Sequence, residues 1–124
     1  MDPANSQTDF GISLADLGNG VWWLTVKGEA DLSNAPELKE RLSVAIDSGA
    51  RGVLVDLMDA TFIDSTTLGV LVGAVKRLRP AGGELAIACD DPNIRKIFEI
   101  TLLDRTFNVV DGAEAGIAYL SLQS

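Results

Sequence analysis

Val53 to Arg79 reads VLVDLMDATFIDSTTLGVLVGAVKRLR. Its first five residues, Val53 to Leu57, are a short apolar run of the kind that forms interior strands of a parallel sheet. A short loop follows. From Asp64 or Ser65 the period changes, and Leu68, Leu71, Val72, Val75 and Leu78 fall on one helical stripe. Arg77 and Arg79 sit where the helix dipole favours cations, and Pro80 closes the pattern. Strand, loop and helix in this order make half of a β-α-β unit. Sheets built of such units present ligand sites beyond the carboxyl ends of their strands.

The flanking sequence extends the same pattern. On the N-terminal side, Phe10, Ile12 and Leu14 alternate with Gly11, Ser13 and Ala15, which is strand periodicity. Leu17-Gly18-Asn19-Gly20 is a turn, and Val21 to Lys27 (VWWLTVK) a second strand, so the two form a hairpin. Trp22, Leu24 and Val26 share one face of that strand. Trp23 lies on the other, as a packed sheet aromatic or an exposed one. Gly28 to Asn34 reads as a polar loop. Ser33 or Asn34 caps a helix carrying Pro36 in its first turn, with Ala35, Leu38, Leu42, Ala45 and Ile46 as its stripe and Ser48-Gly49 as its end. On the C-terminal side, Gly82-Gly83 is a turn and Glu84 to Ala88 a strand. Asp90-Asp91-Pro92 starts a helix with Ile94, Ile97 and Phe98 inward, and Phe107, Val109 and Val110 suggest a last strand. Asp111 to Glu114 reads as a capping box for a final helix bearing Ile117 and Leu120. The order β-β-α-β-α-β-α-β-α predicts an α/β domain over residues 10–124 with a mainly parallel, mixed sheet, preceded by a flexible segment over residues 1–9.

Composition narrows the function classes. The chain has 124 residues, 47% of them hydrophobic and 23% charged, which suits one globular domain. Its net charge of −8 argues against binding phosphate backbones or anionic lipid. Histidine is absent, so Ser-His-Asp triads, histidine bases and histidine-ligated metals are out. A single cysteine, Cys89, forms no intrachain disulfide and reads as a buried small hydrophobe. No secretory h-region or long apolar span is visible, and the expectation is a cytoplasmic protein. No phosphate-cradling glycine motif occurs. Asp56, Asp59 and Asp64 lie near one another in sequence, yet a receiver-type acidic pocket would need acids from the first strand end as well.

What remains is Asp64-Ser65-Thr66-Thr67. One reading is a helix cap, since Asp, Ser and Thr oxygens satisfy the free N–H groups of a first turn. The other is a hydroxyl exposed at a helix start for modification or binding. The helix face opposite the core stripe carries Thr66, Gly69, Val70, Gly73 and Arg77, with Ala74 beside them. Such a smooth face, poor in charge, suits either a docking partner or close packing against another internal element.

Several segments, in order, resemble the STAS-domain anti-sigma-factor antagonists of bacteria. Gly28-Glu29-Ala30-Asp31 with Ala35-Pro36-Glu37-Leu38 resembles the family's GE-x-D…AP-x-L segment, and Phe62-Ile63-Asp64-Ser65-Thr66 its DS[ST] signature. Leu68-Gly69-Val70-Leu71, Gly82-Gly83 and Ile97-Phe98-Glu99-Ile100-Thr101 match its LG-x-L, GG and LF-x-[IM][ST] segments. Thr67 and Leu102 stand where the family usually has glycine. The resemblance implies a non-enzymatic protein without a cofactor of its own, a monomer or weak dimer. It would bind an anti-sigma factor that is also a serine kinase, and so free the sigma factor. The kinase, which supplies the ATP site, would phosphorylate Ser65 and end the complex, and a PP2C-type phosphatase would reverse this. Glu29, Asp31, Asp64, Ser65, Thr66, Thr67, Gly69, Val70 and Gly73 would meet the partner, with the Thr67 side chain facing the approaching kinase. The alternative use of such a module is as a stressosome-like scaffold or a transporter accessory subunit.

Overall fold

A computed structural model describes residues 10–122; the segment 1–9 lies outside them. The strands are β1 (Gly11–Asp16), β2 (Val21–Ala30), β3 (Gly52–Ile63), β4 (Glu84–Ala88) and β5 (Asn108–Val110). The helices are α1 (Ala35–Asp47), α2 (Ser65–Leu78), α3 (Pro92–Ile100) and α4 (Ala113–Ser121). They occur in the order read from the sequence. The sheet runs β1-β2-β3-β4-β5, with β1 antiparallel to β2 and every later pair parallel.

That strand order explains the layering. Each parallel step moves one place in the same direction, and crossovers of one hand then deliver their helices to one face of the sheet. Accordingly Leu38, Leu42, Leu68, Leu71, Val75, Leu78, Ile94 and Phe98 from α1, α2 and α3 share a core with Leu24, Val26, Val53, Val55 and Ile87 of the strands. The opposite face needs its own cover, which α4 provides: Leu120 packs with Val21, Leu54, Ala86 and Ala88, with Trp23, Met58 and Ile117 at the margin. Trp23 is therefore a packed residue. Its Nε1 donates to Asp56 Oδ2 at 3.0 Å. Gly116 lets α4 approach, because a Cβ there would stand 2.5 Å from Leu54 Cδ1.

Four local expectations are corrected. Gly28 to Ala30 is not loop but the end of β2, and β3 runs to Ile63 rather than stopping at Leu57. The alternation misled because β3 carries an extra residue at two places. Thr25 pairs with Asp56 but Lys27 with Asp59, and Gly28 pairs with Ala60 but Glu29 with Phe62. Each bulge stretches the core-facing spacing from two residues to three, so that Leu57, Ala60 and Ile63 all face inward. The capping box at α4 does not form. Gly112 is the N-cap with no side-chain bond, while Asp111 pairs with Arg95, where a full positive charge outcompetes a helix amide. Nor does Asn34 cap α1 with its side chain; its amide bonds back toward β2.

Cys89 is buried, as expected, and burial pushes its thiol pKa up. Leu102 follows α3 with φ +60°, in the left-handed region, and its side chain is 58% exposed. A side chain there is strained by about 1–2 kcal/mol and buries little in return. Leu102→Gly should therefore raise stability by up to about 1 kcal/mol, and Tm by a few degrees, after the entropic cost of glycine. A calorimetric melt checks this; an unchanged or lower Tm would mean that the strain is relieved elsewhere.

Candidate functional site

The site grows from the ends of two neighbouring parallel strands. Ala30 and Ile63 are paired at the last rung of β2 and β3, so the chain leaves both strands at one edge of the sheet. After β2 it turns through Asp31 to Asn34; after β3 it enters α2. The main chain joins the two exits, since the Asp64 N–H donates to the Ala30 carbonyl at 3.3 Å.

At the start of α2 the two readings of Asp64-Ser65-Thr66 are divided among different residues. Asp64 is the N-cap, in extended backbone, and its Oδ1 accepts from the Thr67 N–H at 2.9 Å. The cap needs one oxygen, and Asp64 supplies it. Ser65 is the first helical residue and is exposed; among the described residues its hydroxyl has no hydrogen-bond partner. Thr66 beside it is also exposed.

Thr67 is not where the sequence reading placed it. It is 1% exposed, and its Oγ1 lies 2.8 Å from the Ala30 carbonyl and 3.0 Å from Asp64 Oδ1. At the third position of α2 the side chain falls back over the strand ends instead of facing outward. Thr67 is thus a structural member of the site and not part of its surface.

The turn after β2 holds itself by polar contacts. Asp31 Oδ1 accepts from the Ser33 N–H at 3.0 Å and the Ser33 hydroxyl at 2.7 Å. The Asp31 N–H donates to Asn34 Oδ1 at 2.8 Å, and Asn34 Nδ2 donates to the Glu29 carbonyl at 2.9 Å. Glu29 is left exposed, at the same sheet edge as Ser65. Leu32 and Phe62 are exposed there as well, at 70% and 47%. Neither stood out in the sequence reading; the one signal was an apolar Leu32 inside an otherwise polar segment.

Thr66, Gly69, Val70 and Gly73 continue from Ser65 along α2 and line a groove of about 320 Å³, whose other wall is Leu42, Ser43 and Ile46 of α1. Arg77 spans its far end, donating to Ser43 Oγ at 3.1 Å and Asp47 Oδ1 at 2.6 Å. A Cβ added at Gly69 or Gly73 would meet no atom within 4 Å. The small residues are therefore not a close-packing device against another internal element. They leave an open, largely apolar channel that begins one residue from Ser65.

The remaining acids are spread over separate tasks. Asp56 is buried, bonded to Trp23 and, through Oδ1, to the Met58 N–H at 2.9 Å, whereas Asp59 is exposed. Among the described residues no group of three or more His, Cys, Asp or Glu is placed to hold a metal. Among the same residues no helix is long and apolar enough to cross a membrane.

Comparison with known proteins fits this geometry. The STAS domain family model matches residues 16–115. The chain belongs to the STAS domain family. The anti-sigma-B factor antagonist of Staphylococcus aureus strain NCTC 8325 is 38% identical to this STAS domain over 89 residues, which are 72% of this chain and 82% of that protein. An anti-sigma factor antagonist from Mycobacterium paratuberculosis shares the fold, with a TM-score of 0.83 at 22% identity over 91% of this chain and 95% of that one. So does the Bacillus cell fate determinant SpoIIAA in its phosphorylated form, with a TM-score of 0.68 at 22% identity over 85% and 96%.

The turn of this STAS domain makes a testable statement. The Ser33 hydroxyl, above all, lowers the Asp31 pKa below its ordinary 3.8; desolvation, the next effect, opposes it, and the Ser33 and Asn34 backbone bonds lower it further. A depressed carboxylate pKa stabilises the fold above the unfolded value and loses that contribution as pH falls through the folded one. The Asp31 turn should therefore stay formed at pH 4 and loosen only below 3.8. Carboxyl NMR titration should place the Asp31 midpoint below 3.8, and Ser33→Ala should move it up toward that value. An unmoved midpoint would remove the hydroxyl as the cause.

Proposed function

We propose that this STAS domain is an anti-sigma factor antagonist switched at Ser65. In the unphosphorylated form its docking face is Glu29, Asp31, Asp64, Ser65, Thr66, Gly69, Val70 and Gly73. The partner is an anti-sigma factor with serine-kinase activity, and binding it frees the sigma factor in the cytoplasm. Phosphorylation of Ser65 by that kinase, with ATP held by the kinase, ends the complex. A PP2C-type phosphatase returns the protein to its binding form. The role is regulatory, and the domain performs no catalysis of its own.

One observation carries the choice of Ser65. Asp64 takes the cap, which leaves the adjacent hydroxyl exposed and, among the described residues, unbonded at the start of a helix. Of the two neighbouring hydroxyls, Thr67 is buried and engaged, so only Thr66 competes for the phosphate. The Staphylococcus aureus relative's own designation supports the class of partner. The continuity of the Ser65 edge with the open face of α2 supports where it docks.

Incubation with the anti-sigma kinase and ATP, followed by mass spectrometry, should place one phosphate on Ser65; a phosphate on Thr66 instead would refute the assignment. A phosphate adds about −1.5 to −2 charges at neutral pH. Ser65→Asp, its partial mimic, should weaken partner binding by roughly tenfold or more, or at least ~1.4 kcal/mol, while Ser65→Ala should bind and resist switching. Calorimetric titration against the partner reads both.

Gly73→Glu separates the groove from the Ser65 edge. The site is open, and glutamate is a better helix former than glycine by roughly 0.5 kcal/mol, so Tm should hold or rise slightly. Partner affinity should nevertheless fall at least about tenfold. Unchanged affinity would confine the interface to the sheet edge.

A further inference from the structure

The Thr67 hydroxyl joins the two halves of the site. We propose that Thr67 is a positioning residue, which fixes the Ser65 helix start against the end of β2 at Glu29 and the turn at Asp31 through the Ala30 carbonyl. The proposal rests on the reading of Ser65 as the phosphoacceptor.

The argument begins with the acceptor. Ala30 is buried, at 1% exposure, and no strand follows beyond its last rung with β3 to tie its carbonyl to the sheet. That carbonyl receives two donors, both from the α2 side: the Asp64 N–H at a long 3.3 Å and the Thr67 hydroxyl at 2.8 Å. The hydroxyl is thus the shorter of the two tethers. It also reaches Asp64 Oδ1 at 3.0 Å, and Asp64 Oδ1 receives the Thr67 N–H at 2.9 Å. A hydroxyl has one proton and an ionised carboxylate only accepts, so this is a three-centre arrangement in which one proton serves both oxygens.

The consequence is geometrical. Ser65 lies between Asp64 and Thr67 in sequence, and both are fastened to Ala30. Asp31, the next residue after Ala30, begins the turn, and the Asn34 side chain ties that turn to Glu29, the residue before Ala30. Without the hydroxyl, the 3.3 Å main-chain bond would be left to join the two exits among the described residues, and a buried carbonyl would lose its better donor. A kinase has to find the Ser65 oxygen in one place relative to the surface it grips, and small displacements of a reacting group are costly in rate. Thr67 touches neither surface nor reacting atom; it acts by holding both halves in register.

Threonine is the right size for this task and valine is its nearest shape without the hydroxyl, so the comparison isolates the bond. Thr67→Val and Thr67→Ser are compared with the wild-type chain in two measurements. The first is amide hydrogen exchange. In Thr67→Val the Asp64, Thr67 and Leu68 amides, and the Asp31 amide across the gap, should exchange about tenfold faster, the worth of one such hydrogen bond. Ile87 and Phe98 in the core should not change, and Thr67→Ser should match wild type. The second measurement is kcat/KM for Ser65 phosphorylation by the anti-sigma serine kinase that binds the wild-type chain. It should fall about tenfold in Thr67→Val and be restored in Thr67→Ser. Unchanged exchange at Asp64 and Asp31, or a uniform rise over the whole domain, would overturn the tether. Faster local exchange with unchanged kcat/KM would overturn the positioning role alone. A wild-type chain that the kinase leaves unmodified at Ser65 would overturn the functional reading beneath it, whatever the exchange data say.

Discussion

The parallel pairing of β2 with β3 out to Ala30 and Ile63 is the constraint on which the site depends. Two chain segments separated by more than thirty residues leave the sheet side by side only because both strands run that far. If β3 ended at Leu57, the start of α2 would no longer adjoin the turn after β2. The two bulges make the length compatible with burial. They let a strand that begins with every second residue inward continue with every third, so that Ala60 and Ile63 reach the helical core while Asp59, Thr61 and Phe62 do not. The strand ends are thereby anchored by apolar contacts, while polar groups occupy the exits.

Within that frame the sequence D-S-T-T divides its labour by position along the first helical turn. An N-cap side chain folds forward onto the third residue's amide, the first and second residues point outward, and the third turns back to the protein. Asp64 caps, Ser65 and Thr66 are exposed, and Thr67 is buried. Four adjacent polar residues of similar chemistry thus have three different fates. Residue type alone does not separate them; their phase relative to the helix start does.

This is also where legibility in the sequence began and ended. Element order, the hairpin and the inward stripe of α2 were all readable, because each rests on apolar periodicity, and periodicity is a direct imprint of burial. The smooth face of α2 was readable for the same reason, as the complement of that stripe. The strand ends were not. Asp59-Ala60-Thr61 looks like loop because the bulges in β3 break its period-two signal, and a bulge depends on how two strands match, which neither strand states alone; Gly28-Glu29-Ala30 keeps the alternation, but its inward positions are only Gly28 and Ala30, too small to mark a strand. The inward turn of Thr67 was hidden by a different cause. A threonine is compatible with surface or interior, and what draws it inward is a carbonyl 37 residues away in sequence. The failed cap at Asp111 is a third kind: the local motif was present, but Arg95, on another element, made the stronger offer.

The same local geometry says where a phosphate on Ser65 would act. At the start of α2 the Thr67 amide is already taken by Asp64, but the first two helical amides have no acceptor within the helix. They and the positive end of the dipole would receive a phosphate favourably, while the Asp64 carboxylate would oppose it. The two effects oppose each other and Ser65 is exposed, so on the proposed reading the modification leaves the fold of the isolated domain largely unchanged. A partner surface shaped around a neutral hydroxyl has no such balance. On that side the added charge must be desolvated against groups arranged for a small uncharged neighbour, and a few kcal/mol of imbalance changes affinity by orders of magnitude. A switch of this kind needs no conformational change in the domain that carries it. On the proposed reading it requires only that the hydroxyl be exposed at a fixed place, and the Asp64 cap and the Thr67 hydrogen bond to Ala30 are the contacts that would hold it there.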